Sequence, residues 1–530
     1  MSACPARTVR TPSDGPQSHS RRVAWIVPGL AAWALLSGCS ATRTSATLAP
    51  VPSPMLSPRQ ALVAAIDSMV NAPQFRNAHW GILIVDPARG DTLYSRNAGK
   101  LFMPASNMKI VTGAVALSEL GADYRFRTTF VADGPVVGGT LKGNLIVEGR
   151  GDPTLSDGMR RGDTTVAREL RTNAMSPMRE IADSLAARGI RRIDGRVMRG
   201  ADVFSDSPWG YAWGSDQFES PYSAGVDELF FNEGFTRVIV RAGARAGDAP
   251  TVTTTPIRGH PVVRNLATTV VSTRQDSVRT RALEVLHDTA GPGLMLGGTI
   301  AVGDSSVLTV TYRNQNDAYL AALREALQDK GIIVTNTSIA RGARADSLFA
   351  TQSPPLREIL PRLEKPSQNQ IAEVLLKTLG LEKGDTATAA RGRAIVRDKL
   401  LAWGADSAGF AVRDGSGLSR HNYLSPETIV RVLTAIQRDT AFLAFYEALP
   451  IAGVDGTIST RMRNTPAAGN MRAKTGFIDK ARSLSGYVTT ADNRLIVFSL
   501  LANNWTTPSR AVDQVQNEIG ARLAALRLTP

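Results

Sequence analysis

Cysteine is nearly absent from this 530-residue chain: there are two, Cys4 and Cys39, both at the N-terminal end. Everything after Cys39 lacks a thiol, which excludes a disulfide framework and any Cys-ligated zinc centre. Histidine is scarce too. His19, His79, His260, His287 and His421 are scattered at spacings that match no metal-ligand pattern, so no metal and no cofactor is expected. The formal charge is +14, yet the arginines are dispersed without aromatic interleaving, which argues against nucleic acid as a partner. There is no Gly-x-Ser-x-Gly elbow. "GNMRAKTG" fails as a phosphate loop, because Ala473 replaces the glycine before the lysine and a strand-like segment follows. Lysine supplies only ten of the 61 basic residues, so a lysine inside a motif stands out.

The first apolar run, "VAWIVPGLAAWALL", follows Arg21-Arg22 and is too short and wrongly flanked to span a bilayer. It ends in Leu36-Ser37-Gly38-Cys39, which resembles a bacterial lipobox. That resemblance implies a signal peptide over 1–38, lipidation of Cys39 and a tether over 39–56. The protein would then sit in the periplasm, lipid-anchored to a bacterial membrane. A plain secretory signal with an incidental Cys39 is the alternative. Residues 1–38 hold four Arg and one Asp, so the mature chain keeps roughly +11, suited to an anionic envelope surface or to no specific partner.

With 43% hydrophobic and 20% charged residues the chain reads as globular, and its length requires two or three domains. Ser57, with Pro58 behind it, starts a helix through "RQALVAAIDSMV". "WGILIVDPARGDTLYSRN" predicts two strands about a Pro/Gly turn, leading to a helix that begins near Ser106. From 131 to 312 the chain is rich in Thr, Val and Gly, and runs such as "TRVIVRAG" and "VLTVTYRN" predict mainly β modules. Helical patterns return in "DAYLAALREALQDKGI", "NQIAEVLLKTLG" and "TATAARGRAIVRDKLLAWG". "RSLSGYVTT" and "RLIVFSLLAN" predict an antiparallel hairpin, with a last helix, "SRAVDQVQNEIGARLAAL", packed on it. The economical division makes 57–130 and 313–530 two parts of one catalytic domain, interrupted by inserted β-rich domains over 131–312, two of them and nested.

Three short motifs carry the chemistry. Ser106 precedes Lys109 by three residues in "PASNMKIVTGAVAL"; Ser367-Gln368-Asn369 stands just ahead of a helix; Lys474-Thr475-Gly476 enters the last hairpin. Singly they are weak: Lys109 would pass for a charge on a surface helix, and Ser95-Arg96-Asn97 also fits Ser-x-Asn. Together, in this order, they form the motif set of β-lactamases and penicillin-binding proteins. Spacing three on a helix brings the Lys109 amine within reach of the Ser106 hydroxyl. Desolvation and a second cation, Lys474, would lower the Lys109 pKa and make it a base. The backbone N–H groups of Ser106 and Phe477 are the candidate oxyanion donors, and Gly476 lets the strand come close to a ligand. Ser367 can relay a proton, Asn369 can bind a substrate amide, and Lys474 and Thr475 suit a carboxylate.

With "VEGRGDPTL", "PPLREIL", "RDGSGLSRHNYLSP" and "LPIAGVDGTISTRM", and with Ser106 and Ser367 261 residues apart, the chain resembles the D-Ala-D-Ala carboxypeptidase/endopeptidase family of low-molecular-mass class C penicillin-binding proteins. The resemblance implies an α/β (α+β) serine DD-peptidase domain, its antiparallel sheet flanked by helices. Ser106 would be the nucleophile, Lys109 the base, Ser367 and Asn369 the second element, and Lys474 and Thr475 the third. Its substrates would be peptidoglycan peptides ending in D-Ala-D-Ala, and β-lactams would be covalent inhibitors. Phe477 stands where the family more often has Thr or Ser, and Gln368 where it has Asp or Asn. A β-lactamase and a non-catalytic peptidoglycan-binding envelope lipoprotein are the rival readings. "DGSGLS" is either a structural turn or a shaper of the cleft.

Overall fold

The computed structural model describes residues 56–156, 174–214, 217–271, 282–338 and 346–528; the leader, Cys39 and the tether up to residue 55 lie outside the described residues. A five-stranded sheet, antiparallel throughout, organises the catalytic part. Its strands in spatial order are Asp91–Arg96, His79–Asp86, Leu495–Asn503, Ala481–Thr489 and Arg472–Ile478. The middle strand explains its own long apolar run, interrupted only by the buried Ser499. Ile496, Phe498, Leu500 and Ala502 enter a core shared with the helices Pro58–Val70 and Ser509–Ala525. Val497 and Leu501 point the other way, into the core built on the helix Met108–Leu120. A strand covered on both faces has no polar side, and each large apolar side chain so buried contributes about 1.5–3 kcal/mol. The first helix starts as its sequence predicts. Ser57 Oγ accepts from the Gln60 N–H while the Gln60 side chain accepts from the Ser57 N–H, a complete capping box.

The inserted part leaves and re-enters side by side, because strand Arg127–Ala132 pairs with strand Asp346–Gln352. Its core holds Phe130, Leu145, Ile181 and Leu185 together with Tyr319, Leu323 and Leu327. This corrects the boundary expected at 313. The helix Gln315–Asp329 shows the predicted period, but its apolar face packs inside the insertion, and the chain rejoins the catalytic core at Leu356. Among the described residues of 131–312 strands predominate, and the helix Ser176–Ala187, which the sequence patterns did not single out, turns Met178, Ile181, Ala182 and Leu185 to this core. A separate small core, with Val238, Val240, Leu294, Leu296 and Val310, belongs to strands lying between 235 and 311, nested within the first module.

Candidate active site

Ser106 lies in a single 3-10 turn, Ala105–Asn107, that runs straight into the helix Met108–Leu120. Ala105 holds a left-handed φ of 47°, which costs a residue with a Cβ about 1–2 kcal/mol. Packing holds it there. Gly417 of the "DGSGLS" loop lies so close that a Cβ on it would overlap the Ala105 carbonyl oxygen. That loop is itself fastened from behind, since Asp414 accepts from the Gly417 and Ser419 N–H groups and from Trp213 Nε1. Glu373 accepts from the amide of Ser416 at 2.8 Å. The turn is structural, and it also shapes the site.

Lys109 is completely buried. Its Nζ lies 3.0 Å from Ser106 Oγ, 2.6 Å from Asn369 Oδ1 and 2.8 Å from the Ser416 carbonyl oxygen. Burial lowers its pKa to about 7, and the neighbouring Lys474 cation pushes in the same direction. A neutral amine has two N–H donors and one lone pair. Asn369 Oδ1 and the Ser416 carbonyl can only accept, so they take both donors. The lone pair is left facing the one neighbour that can give a hydrogen, the Ser106 hydroxyl. The Asn369 amide is oriented from its other end, where Nδ2 donates to the Tyr222 carbonyl at 2.7 Å.

Lys474 is equally buried, on the edge strand of the sheet. Its Nζ donates to Ser367 Oγ at 2.8 Å and to the Thr475 carbonyl at 3.1 Å. Burial lowers its pKa too, with the Glu364 carboxyl opposing. Asn107 Nδ2 donates to the Lys474 carbonyl at 2.8 Å, tying the serine turn to the strand. Thr475 Oγ1 donates to Thr457 Oγ1 at 2.7 Å. Ser367 sits at a left-handed φ of 62°, just before the helix Asn369–Lys383. Gln368 caps that helix by accepting from the Gln370 N–H, and its Nε2 donates to Glu233 of the insertion at 2.9 Å. A longer side chain than Asp or Asn therefore still caps, and adds a contact. The edge strand comes very close to the serine: a Cβ on Gly476 would overlap Ser483 Oγ and stand 2.9 Å from the Ser106 nitrogen. Phe477 follows, 59% exposed, with the Arg482 guanidinium 3.9 Å over its ring.

The structure thus brings Ser106, Lys109, Ser367, Asn369, Lys474, Thr475, Gly476 and Phe477 to one place, while Cys39 lies outside the described residues. Sequence reasoning missed Asn107, Glu364, Thr457, the Ser416 carbonyl and Tyr222. Ser416 lies inside "DGSGLS", Asn107 directly follows Ser106 in "PASNMKIVTGAVAL", and Thr457 lies inside "LPIAGVDGTISTRM". What no local motif encodes is whom these residues meet: Asn107 bonds the Lys474 carbonyl, Thr457 the Thr475 hydroxyl, and Tyr222 offers its carbonyl to Asn369. Away from this site, the acidic trio Asp202, Asp227 and Glu228 already has a counter-charge, because Arg199 Nη1 lies 3.0 Å from Glu228.

Comparison with known proteins decides the family. The model of the D-Ala-D-Ala carboxypeptidase 3 (S13) family matches residues 62–526. The chain belongs to that family. The chain is 32% identical to a D-alanyl-D-alanine carboxypeptidase of Actinomadura sp. (strain R39), over 87% of this chain and 84% of that one. It is 27% identical to D-alanyl-D-alanine carboxypeptidase DacB of Haemophilus influenzae, over 78% of this chain and 82% of the relative. The crystal structure of penicillin binding protein 4 from Haemophilus influenzae superposes with a TM-score of 0.71 at 24% identity, covering 87% of this chain and 99% of that one. The chain therefore has the fold that its motifs implied.

Proposed function

We propose that the chain releases the terminal D-alanine from peptidoglycan peptides ending in D-Ala-D-Ala, through an acyl-enzyme on Ser106. The observation that supports this most directly is the Lys109 amine, its pKa brought to about 7, 3.0 Å from Ser106 Oγ. Lys109 takes the serine proton as Oγ attacks the carbonyl carbon of the D-Ala–D-Ala bond. The oxyanion is received by the N–H groups of Ser106 and Phe477. Ser367, bonded to Lys474, passes a proton to the departing amine. Asn369 holds a substrate amide, and Gly476 lets the substrate backbone lie along the edge strand. Water then hydrolyses the ester and frees Ser106. β-Lactams acylate the same serine. Phe477 has no hydroxyl to offer either ligand.

In this reading Lys474 and Thr475 hold the terminal carboxylate of an extended peptide laid beside the edge strand. A charge-assisted hydrogen bond is worth about 1.5–3 kcal/mol, so Lys474→Ala should cost roughly one to two decades in acylation efficiency. D-Alanine release from a pentapeptide acid and from its C-terminal amide tests the function and the role together. The wild type should prefer the acid, and Lys474→Ala should narrow that preference. Equal rates for acid and amide in the wild type would remove the carboxylate role; no release from either would remove the function.

We also propose that the leader is cleaved before Cys39, which is then lipidated and tethers the domain to a membrane facing the periplasm. The "LSGC" end of the apolar run and the Ser/Thr/Pro-rich stretch behind it support this. Metabolic labelling with a fatty acid should mark the wild type and not Cys39→Ala, which should keep its unprocessed leader. A wild type recovered unlabelled, with a mature N-terminus elsewhere, would disprove the anchor.

A further inference from the structure

One carboxyl group beside the two lysines takes no part in these steps. Glu364 ends the helix Leu356–Glu364, is completely buried, and among the described residues neither Oε1 nor Oε2 has a hydrogen-bond partner. Burying a carboxylate this way costs several kcal/mol unless opposite charge offsets it. The group is seated against the helix that carries Lys109. A Cβ on Gly113, one turn after Lys109, would stand 2.8 Å from Glu364 Oε1. A glycine inside a helix costs about 1 kcal/mol relative to alanine, and here it leaves the room the carboxyl occupies. The charges that act on Glu364 come from two other elements: Lys474 on the edge strand, foremost, and Lys109 on the serine helix. Lys365, next in sequence, is engaged with Asp455 Oδ2 at 2.5 Å, and Arg362 is buried on the same helix. Asp414 and Glu373 act on Lys109 from its far side.

We infer that Glu364 is a positioning residue that sets the proton inventory of the site: its carboxylate is the counter-ion that keeps Lys474 an ammonium while Lys109 is a free amine. Glu364 carboxylate, Lys474 ammonium and neutral Lys109 sum to zero charge, the arrangement a dry pocket tolerates best. Without the anion, a Lys474 ammonium would lose the carboxylate that favours it in the buried site, while Lys109 would keep only Asp414 and Glu373. One lysine can then bind a carboxylate at the same pH at which the other accepts the serine proton. Burial raises the Glu364 pKa and lowers both lysines, so all three titrate close together and a small change in charge redistributes the protons.

This inference rests on the roles proposed above for Lys109 and Lys474, and the test separates the two. The measurement is kcat/KM for D-alanine release against pH. In the wild type the rising limb reports loss of the Lys109 proton and the falling limb loss of the Lys474 proton. Glu364→Gln withdraws an anion that favours both ammonium forms, so both lysine pKa values fall and both limbs move to lower pH, by about one unit. Glu364→Asp draws the same charge back by one methylene and should move both limbs the same way by less, so the test does not depend on the glutamine variant folding. A merely structural carboxyl would change the height of the profile and leave its limbs in place. Unmoved limbs in the folded variants, or limbs moved to higher pH, would overturn this inference alone. A wild type that releases no D-alanine at any pH would overturn the underlying reading and this inference with it.

Discussion

Ser106→Ala is expected to abolish covalent labelling by a fluorescent penicillin and to lower kcat/KM for D-alanine release on the order of a million-fold. The magnitude follows from what remains. The alanine variant keeps the oxyanion N–H groups and the binding contacts of Asn369 and Lys474, but it has no atom that can form the ester. Water attacking unaided in that pocket recovers only the part of catalysis that positioning supplies. The fold should be almost indifferent. The hydroxyl's hydrogen-bond partner is the Lys109 amine, an interaction worth about 1 kcal/mol, and the turn around it is held by Gly417, Asn107 and Ser483 instead. Mass mapping of the labelled wild type should place the penicilloyl group on the peptide containing Ser106. Labelling that survives the substitution, or maps to another residue, would make Ser106 a bystander.

The chemistry of this chain was legible because it depends on side chains whose types cannot be exchanged, set at helical or strand spacing in short local motifs. Ser106 and Lys109 are one turn apart whatever surrounds them, and Lys474-Thr475-Gly476 stands at the entry to the hairpin that the following apolar runs predict. The catalytic sheet was readable for a related reason. Residues 495–502 alternate between two apolar cores, so the pattern is an apolar run interrupted only by Ser499, and the neighbouring hairpin turn at Ala491-Asp492-Asn493 limits how it can pair. What escaped depends on contacts between segments hundreds of residues apart. Nothing near Gln315–Asp329 says that Tyr319 and Leu323 pack with Phe130 and Leu145 and not with the catalytic helices. Nothing near Tyr222 says that its carbonyl orients Asn369. Glu364 escaped for the opposite reason: in a helix that reads as amphipathic, a glutamate at the end is ordinarily a solvated charge, and only the fold reveals that it is fully buried. The helix Ser176–Ala187 was within reach, since Pro177 near its start, an apolar face at 178, 181, 182 and 185, and Gly189 at a φ of 77° just beyond its end are ordinary helix signals.

Lys109→Met and Lys109→Arg should each lose about as much activity as Ser106→Ala, and combining either with Ser106→Ala should cost almost nothing more, because serine and lysine act as one unit. The pair of variants separates base from charge. Methionine approximates the length and apolar stem of lysine and removes the amine; arginine keeps a cation but cannot give up its proton at any working pH. If Lys109 served only to neutralise developing negative charge, arginine would retain much of the activity. With the amine 3.0 Å from Ser106 Oγ and its two other neighbours able only to accept, the requirement is for a lone pair, and arginine has none to offer. The pH dependence carries the same sign. Lys109 works only when deprotonated, so wild-type kcat/KM should rise as pH increases through about 7, the value to which burial and Lys474 bring it. Whatever slow acylation the methionine variant retains should lack that rise, since the base whose deprotonation it reports is gone. Arginine at 109 with activity within tenfold of the wild type, or a methionine variant that keeps the rising limb near 7, would move the base elsewhere, and the lysine facing Ser367 would be the next to test.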